Sequence, residues 1–234
     1  MRKPKIYRHL FFDLDHTLWD FEKNSEETLY HLYEQFALHT LGDFTPLSFY
    51  KKYSFINERL WDLYHKGKIT QQELRENRFT KCLTGLGVAA ENVPVGLSQA
   101  FLELCPTKAG VFPFTHEVLE YLKAKYQLHI ITNGFRDVQH IKLKSSNLDK
   151  YFTEVVTAEC ANCTKPDKRI YQHALERAGV GAEECLMIGD NIEADVLGAM
   201  NAGIDQVYFN PDRKRPRLRA TYEIACLSEL KTFL

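Results

Sequence analysis

The 234-residue chain carries a formal net charge of −1, with 44% hydrophobic and 26% charged residues. That length buries a full core, alone or with a smaller second unit, and the balanced charge gives no general drive toward nucleic acid or a membrane surface. Six cysteines spread thinly along the chain exclude a disulfide scaffold.

In chain order, the N-terminal stretch MRKPKIYRHLFFDLD has only Leu10, Phe11 and Phe12 as an apolar run before Asp13. This is too short for a signal peptide. No other run approaches the length of a membrane span, and a cytoplasmic protein is expected. Residues 6–12 read as a buried strand that stops at Asp13. The stretch FFDLDHT places Asp13 and Asp15 two residues apart, on one side of the chain if the strand continued, where two acids repel each other. Asp is common where a chain leaves a sheet, and D-x-D alone reads most simply as such a turn. It becomes chemistry only if the chain also supplies a cation, a phosphate cradle and an opposing positive charge.

From about residue 24 the hydrophobic period changes. Leu29, Leu32, Tyr33 and Phe36 follow helical spacing, which predicts an amphipathic helix with Asn24 or Ser25 as its N-cap. Thr45-Pro46 opens a second helix that carries Phe49, Tyr53, Ile56 and Leu60 on one face. Thr70-Gln71-Gln72-Glu73 has capping-box spacing and opens a third. The region to about residue 105 is therefore expected to be all helical. Gly96-Leu97-Ser98-Gln99-Ala100 imitates a nucleophile elbow within it, but lacks the final Gly and a preceding strand.

Beyond this region helices and strands alternate. Helical patterns near 115–125, 136–146, 167–178 and 192–202 precede the apolar runs QLHIIT, EVVT, CLMIGD and QVYFN in turn. Repeated units of this kind predict an α/β fold, a Rossmann-like parallel sheet with helices on both faces. The helical block is then an inserted domain over residues 18–110, and residues 1–17 with 111–234 form the α/β core domain.

Two local features take no function. Cys160 and Cys163 form C-x-x-C, but no second cysteine pair or histidine pair stands at zinc spacing, so reduced loop thiols are expected. The run RKRPRLR at 213–219 is basic without interleaved aromatics and reads as a solvated loop. There is no P-loop and no G-x-G-x-x-G.

In an open parallel sheet, ligands bind outside the carboxyl ends of the strands, where strand order reverses. The residues following the predicted strands are Asp13 and Asp15, then Thr132-Asn133-Gly134, then Lys165, then Gly189-Asp190-Asn191 with Asp195 in the next helix. Asp13 and Asp190 make a hard oxygen site suited to Mg²⁺. Thr132 and the main-chain N–H groups of Asn133 and Gly134 can hold phosphate oxygens. Lys165 places a positive charge against a transferring group. Each piece alone is turn or helix-start chemistry; their joint order at successive strand ends is what points to a site.

With these residues in place, the chain resembles the haloacid dehalogenase superfamily of phosphatases. Its four motifs are matched by Asp13-Leu14-Asp15-His16-Thr17, Thr132-Asn133-Gly134, Lys165-Pro166-Asp167 and Gly189-Asp190 with Asp195. The helical block corresponds to the cap that this superfamily inserts after the first strand. The resemblance implies that Asp13 attacks phosphorus, and that Asp15 protonates the leaving oxygen and then activates the hydrolytic water. It also implies Mg²⁺ held by Asp13, the main-chain oxygen of Asp15 and Asp190, a phosphoryl group bound by Thr132 and Lys165, and an orienting role for Asp195. A cap closing over the site would set specificity. Trp19, Phe21, Trp61 and Tyr64 are the aromatic side chains able to stack on a base, although packing is the simpler role for each.

Ile131-Thr132-Asn133-Gly134-Phe135 with Gln139, Trp19, Phe21 and the segment Tyr222–Leu230 is similar to the pyrimidine 5'-nucleotidase subfamily. Ala161-Asn162-Cys163-Thr164 departs from its pattern just before Lys165. The resemblance implies a small phosphorylated metabolite as partner, a nucleoside monophosphate, with no nucleic acid or membrane involved. The alternatives are a sugar-phosphate phosphatase such as an N-acylneuraminate 9-phosphatase, a phosphomutase, a 2-haloacid dehalogenase, or a phosphate-binding protein without turnover.

Overall fold

A computed structural model describes residues 5–215 and 217–234. The first four residues of the expected core domain and Pro216 of the basic run lie outside them. In chain order the elements are β1 (His9–Phe12), α1 (Phe21–Gln35), α2 (Pro46–His65), α3 (Gln71–Thr84), α4 (Leu97–Leu104) and α5 (Thr115–Lys123). Then follow β2 (Gln127–Thr132), α6 (Arg136–Ser145), β3 (Glu154–Thr157), α7 (Ala158–Ala161), α8 (Lys168–Ala178) and β4 (Cys185–Gly189). A π-helical turn over Ile192–Leu197 runs into α9 (Gly198–Asn201), and β5 (Asp205–Phe209) and β6 (Tyr222–Ile224) close the sheet.

Among the described residues the sheet has six strands in the order β3-β2-β1-β4-β5-β6, every pair parallel. Leu10, Phe11 and Phe12 of β1 and all of β4 are buried, as expected of strands covered on both faces. On one face Phe11, Ile131, Val156 and Met187 pack with Ile170, Tyr171 and Ala174 of α8 and Ala199 of α9; burying each large apolar side chain contributes about 1.5–3 kcal/mol. The chain builds outward from β1 to β3, then returns to the other side of β1 as β4. The strand order therefore reverses between β1 and β4, which places their carboxyl ends at the switch point.

His129 of β2 lies on that same buried face. Its ring is fully buried, stacked against Phe11 at 4.8 Å and His9 at 5.2 Å. His9 Nδ1 and His129 Nε2 share a hydrogen bond of 3.0 Å, and His129 Nδ1 has no partner among the described residues. Burial, with the neighbouring His9, lowers the His129 pKa from 6.5 to about 4. Between those values the unfolded chain binds a proton that the folded one refuses. Stability is therefore expected to fall as pH drops through 6.5, by about 1–2 kcal/mol between pH 7 and pH 5 from this group. Denaturant melts at both pH values should show a smaller drop for His129→Phe than for the wild type.

The chain divides into two compact units, one running to Phe21 and resuming over Ala109–Leu234, the other spanning Glu22–Lys108. These bounds differ from the expected 18–110 because Trp19 makes bridges to Asp15 and to Val111, which ties residues 18–21 to the α/β unit. The second unit is helical as expected. Thr45 and Thr70 form capping boxes with Ser48 and Glu73, and α2 packs antiparallel on α3 through Phe49, Tyr53 and Phe79, with Phe101 of α4 completing an aromatic core. Neither Asn24 nor Ser25 caps α1, which starts at Phe21. Its first turns bury Asn24, Ser25 and Thr28, so an apolar pattern does not reveal them. Ser98, in the false elbow, donates to the Arg75 carbonyl at 2.6 Å. Among the described residues no helix is long and apolar enough to cross a membrane.

Candidate active site

The loop after β1 carries Asp13 and Asp15 out of the sheet. The Asp13 amide still donates to Ile188 of β4 at 2.9 Å, which extends the ladder by one residue beyond the strand. His16, just after Asp15, takes a left-handed backbone with φ of 62°, and its amide donates to the Trp19 carbonyl. Leu18 and Trp19 donate back to Leu14. The two acids therefore leave the strand geometry in which they would face each other, and each has its own lysine. Lys165 Nζ lies 2.6 Å from Asp13 Oδ1, and Lys142 Nζ lies 2.5 Å from Asp15 Oδ1.

Lys165 reaches the site from the loop between α7 and α8. Asn133, directly after β2, clamps its main chain: Lys165 N donates to Asn133 Oδ1 at 2.7 Å, and Asn133 Nδ2 donates to the Lys165 carbonyl at 3.0 Å. The Lys165 ammonium is 3% exposed and bridges Asp13 Oδ1 and Asp195 Oδ1, both at 2.6 Å. Burial pulls its pKa down, but the two carboxylates outweigh that and hold it protonated above its ordinary range. Asp167 caps α8 through the Arg169 amide, which secures the far side of the loop.

The loop after β4 supplies Asp190 and Asp195. Thr17 ties Asp190 to the β1 loop, with its hydroxyl donating to Asp190 Oδ1 and accepting from the Asp190 amide, both at 3.1 Å. The segment expected as one helix over 192–202 begins instead as the π turn, in which Val196 N reaches the Asn191 carbonyl five residues back. This turn points Asp195 back toward the strand ends, where its Oδ2 accepts from the Asn191 amide at 3.0 Å. Gly189 makes room for it. A Cβ there would lie 2.3 Å from Asp195 Cγ and 2.6 Å from its Cβ.

Asp13, Asp190 and Asp195 each bring a carboxylate oxygen within 4.8 Å of the others, the one such grouping of potential metal ligands among the described residues. Cys160 and Cys163 are free thiols outside it. Three clustered carboxylates with one ammonium leave negative charge unbalanced. Burial, and then the neighbouring acids, raise Asp13 well above the carboxylate range despite Lys165; burial and Asp195 do the same to Asp190. Both Asp195 oxygens are taken, by Lys165 and by Asn191. Asp13 and Asp190 keep a carboxylate oxygen each without a hydrogen bond among the described residues. An all-oxygen, anionic donor set of this kind fits a hard divalent cation such as Mg²⁺.

Thr132 is buried at the end of β2, and its Oγ1 accepts from the Gly134 amide at 3.0 Å. The Gly134 N–H, expected to cradle phosphate, is thus committed within the turn, while the Thr132 hydroxyl proton is left as a donor. Gly134 has a second use as space, since a Cβ there would lie 1.7 Å from Gln139 Nε2. That amide donates to Asp15 Oδ2 at 3.1 Å. The expected residues of the four motifs therefore gather at one edge of the sheet, with Asn133 and Gly134 serving Lys165 and Gln139. Thr17 stands in the first motif without a role read from sequence, and Lys142 was not singled out at all. The available signal for Lys142 is that Gln139 and Lys142 fall on the stripe of α6 that includes buried Leu143, where apolar residues are the rule. Of the aromatic candidates, Trp19 is fully buried in the α/β unit, and Trp61 and Tyr64 pack edge to face at 5.6 Å on α2.

The model of the haloacid dehalogenase-like hydrolase family matches residues 10–209. The chain is similar to the HAD-hydrolase YfnB of Bacillus subtilis, with 31% identity over 97% of this chain and 94% of that protein. It is similar to two pyrimidine 5'-nucleotidases. YjjG of Escherichia coli is 31% identical over 96% of both chains, and PynA of Streptococcus pneumoniae is 32% identical over 96% of this chain and 94% of its own. Among solved structures, that of YfnB bound to magnesium superposes with a TM-score of 0.86 at 30% identity, covering 97% of this chain and 98% of that one.

Proposed function

Because the chain belongs to the haloacid dehalogenase-like hydrolase family, we propose that it is a Mg²⁺-dependent phosphomonoesterase that cleaves pyrimidine nucleoside monophosphates to nucleoside and phosphate. The observation that carries the chemistry is the buried Lys165 ammonium bridging Asp13 and Asp195 beside Asp190. It gives a carboxylate nucleophile, a fixed positive charge for the phosphoryl oxygens and an anionic seat for a cation in one place. The nucleotide preference is supported by the pyrimidine 5'-nucleotidases to which the chain is similar over nearly its whole length.

In this reading Asp13 attacks phosphorus, the bond to the leaving oxygen breaks, and Asp15 delivers a proton to that oxygen. Water then attacks the aspartyl phosphate, the bond between Asp13 and phosphorus breaks, and Asp15 takes the water's proton. Lys165 and the Thr132 hydroxyl hold phosphoryl oxygens, and Asp195 keeps Lys165 in place. Asp13, Asp190 and the main-chain oxygen of Asp15 would hold Mg²⁺, which supplies positive charge against the phosphoryl oxygens. The helical unit over Glu22–Lys108 takes the role of the family's cap and selects the leaving group.

A panel of nucleotides and sugar phosphates, ranked by kcat/KM with Mg²⁺ present, tests the proposal. UMP, dUMP or dTMP should lead, nucleoside di- and triphosphates should be poor substrates, and a chelator should suppress turnover. A sugar phosphate preferred over every pyrimidine monophosphate would overturn the nucleotidase assignment. Phosphate binding without hydrolysis of any substrate between pH 5 and 9 would overturn the enzyme mechanism.

A further inference from the structure

Lys142 is a buried cation that the mechanism above leaves without a part. It is 4% exposed on α6, and its ammonium lies 4.4 Å from the centre of the Trp19 ring and 5.7 Å from that of Phe21. Taking an ammonium out of water costs several kcal/mol unless an anion and further contacts compensate. The anion here is Asp15, whose Oδ1 is 2.5 Å away.

One turn earlier on the same helix, Gln139 is 1% exposed and donates from Nε2 to the other oxygen of that carboxylate, at 3.1 Å. Residues three apart on a helix share a face, so α6 holds Asp15 like a fork, one donor on each oxygen. The fork is built into the fold at both ends. The Val138 and Gln139 amides bond the Phe135 carbonyl directly after the β2 turn, and Ser146 closes the last turn on the Lys142 carbonyl. Gln139 passes through the space that Gly134 leaves by having no side chain. Meanwhile the loop that carries Asp15 also carries Trp19, and so brings the aromatic seat for Lys142 along with the carboxylate.

We infer that Lys142 is a positioning residue for the hydrolysis of the phosphoenzyme, fixing the Asp15 carboxylate as the acceptor of the water's proton while the water oxygen bonds to phosphorus and the bond between Asp13 and phosphorus breaks. A donor on each oxygen fixes the plane and direction of the Asp15 carboxylate, which the second half-reaction needs in order to meet the attacking water. Formation of the phosphoenzyme from an aryl phosphate does not need this arrangement, because a nitrophenolate leaves without a proton. The inference rests on the aspartyl-phosphate mechanism proposed above, and it adds a residue outside the four motifs.

The test is rapid mixing of wild type, Lys142→Met, Lys142→Arg and Gln139→Leu with p-nitrophenyl phosphate and Mg²⁺, alongside steady-state kcat and KM. Lys142→Met should release about one equivalent of nitrophenolate in a burst and then turn over on the order of 10- to 100-fold more slowly than the wild type. Its KM should fall together with kcat as the covalent intermediate accumulates. Lys142→Arg should restore most of the turnover, and Gln139→Leu should show the same burst with a smaller loss. A merely structural lysine would give lower activity with no burst and no fall in KM, and that result overturns the inference. So does wild-type turnover by Lys142→Met or, if that variant does not fold, by Gln139→Leu. Absence of turnover by the wild type would remove the phosphatase reading and this inference together, whereas wild-type turnover with an unaffected fork removes this inference alone.

Discussion

Asp13→Asn is expected to abolish turnover, by about 10⁴-fold or more, and to leave the protein folded. The amide has the size of the carboxylate and still presents an oxygen toward Lys165 Nζ, which keeps its second partner in Asp195 at 2.6 Å. What is lost is the nucleophile and one charge of the cation seat, and losses of a covalent nucleophile are of this magnitude or larger. The stability of the variant should match or exceed that of the wild type. Asp13 is pushed above the carboxylate range by burial and by its acidic neighbours, so the folded protein holds that charge at a cost, and removing it relieves the cost. Phosphate release measured with a thermal melt on the same preparation checks both halves. Near-normal activity in a verified Asn variant would contradict attack by Asp13 outright.

How much of this was legible in the sequence depends on what each residue signals locally. The strands were legible because LFF, HIIT, VVT and CLMI are unbroken apolar runs between helical patterns, as central parallel strands must be. The capping boxes at Thr45 and Thr70 were legible because their chemistry is completed within four residues. β6 was not, since Tyr-Glu-Ile at the sheet edge is three residues long and buries Ile224 alone. The first turns of α1 were hidden for the opposite reason, that their buried face is polar. At the site, Asp13, Thr132, Lys165 and Asp190 stand at strand ends where topology concentrates function. Asn133, Gly134 and Gly189 stand there too, but their uses are spatial. One clamps a main chain more than thirty residues away, and the two glycines leave room for Gln139 and Asp195. Partners so distant in sequence have no local pattern. Lys142 is the extreme case, one lysine among thirty basic residues, whose one local mark is its place on the buried stripe of α6 and whose carboxylate partner lies 127 positions earlier.

Lys165→Met should destabilise the protein by about 3–5 kcal/mol at neutral pH, because it removes one partner of a buried ionic cluster and leaves the others. For a chain of this size that corresponds to a fall in Tm of roughly 6–20 °C. Methionine matches the stem of lysine in length, so packing against the surrounding loop is little changed and the loss reports charge. Three carboxylates then share the pocket with no ammonium among them, two of them at 8% exposure or less. Lys165 supplies the attractions that draw the Asp13 pKa down, both through its charge and through its hydrogen bond. Without it, burial and the neighbouring acids act unopposed, and Asp13 in the folded variant titrates higher still. A carboxyl group with a raised folded pKa keeps its stability at low pH and loses it as pH rises through that pKa. The deficit relative to the wild type should accordingly shrink at pH 5 and widen at pH 8. Millimolar Mg²⁺ should recover part of it at pH 8, by mass action on the folded state, if Asp13 and Asp190 form the cation seat. A variant that melts within a degree or two of the wild type at pH 8 without Mg²⁺ would show that the acids of this pocket do not depend on Lys165 for their neutralisation.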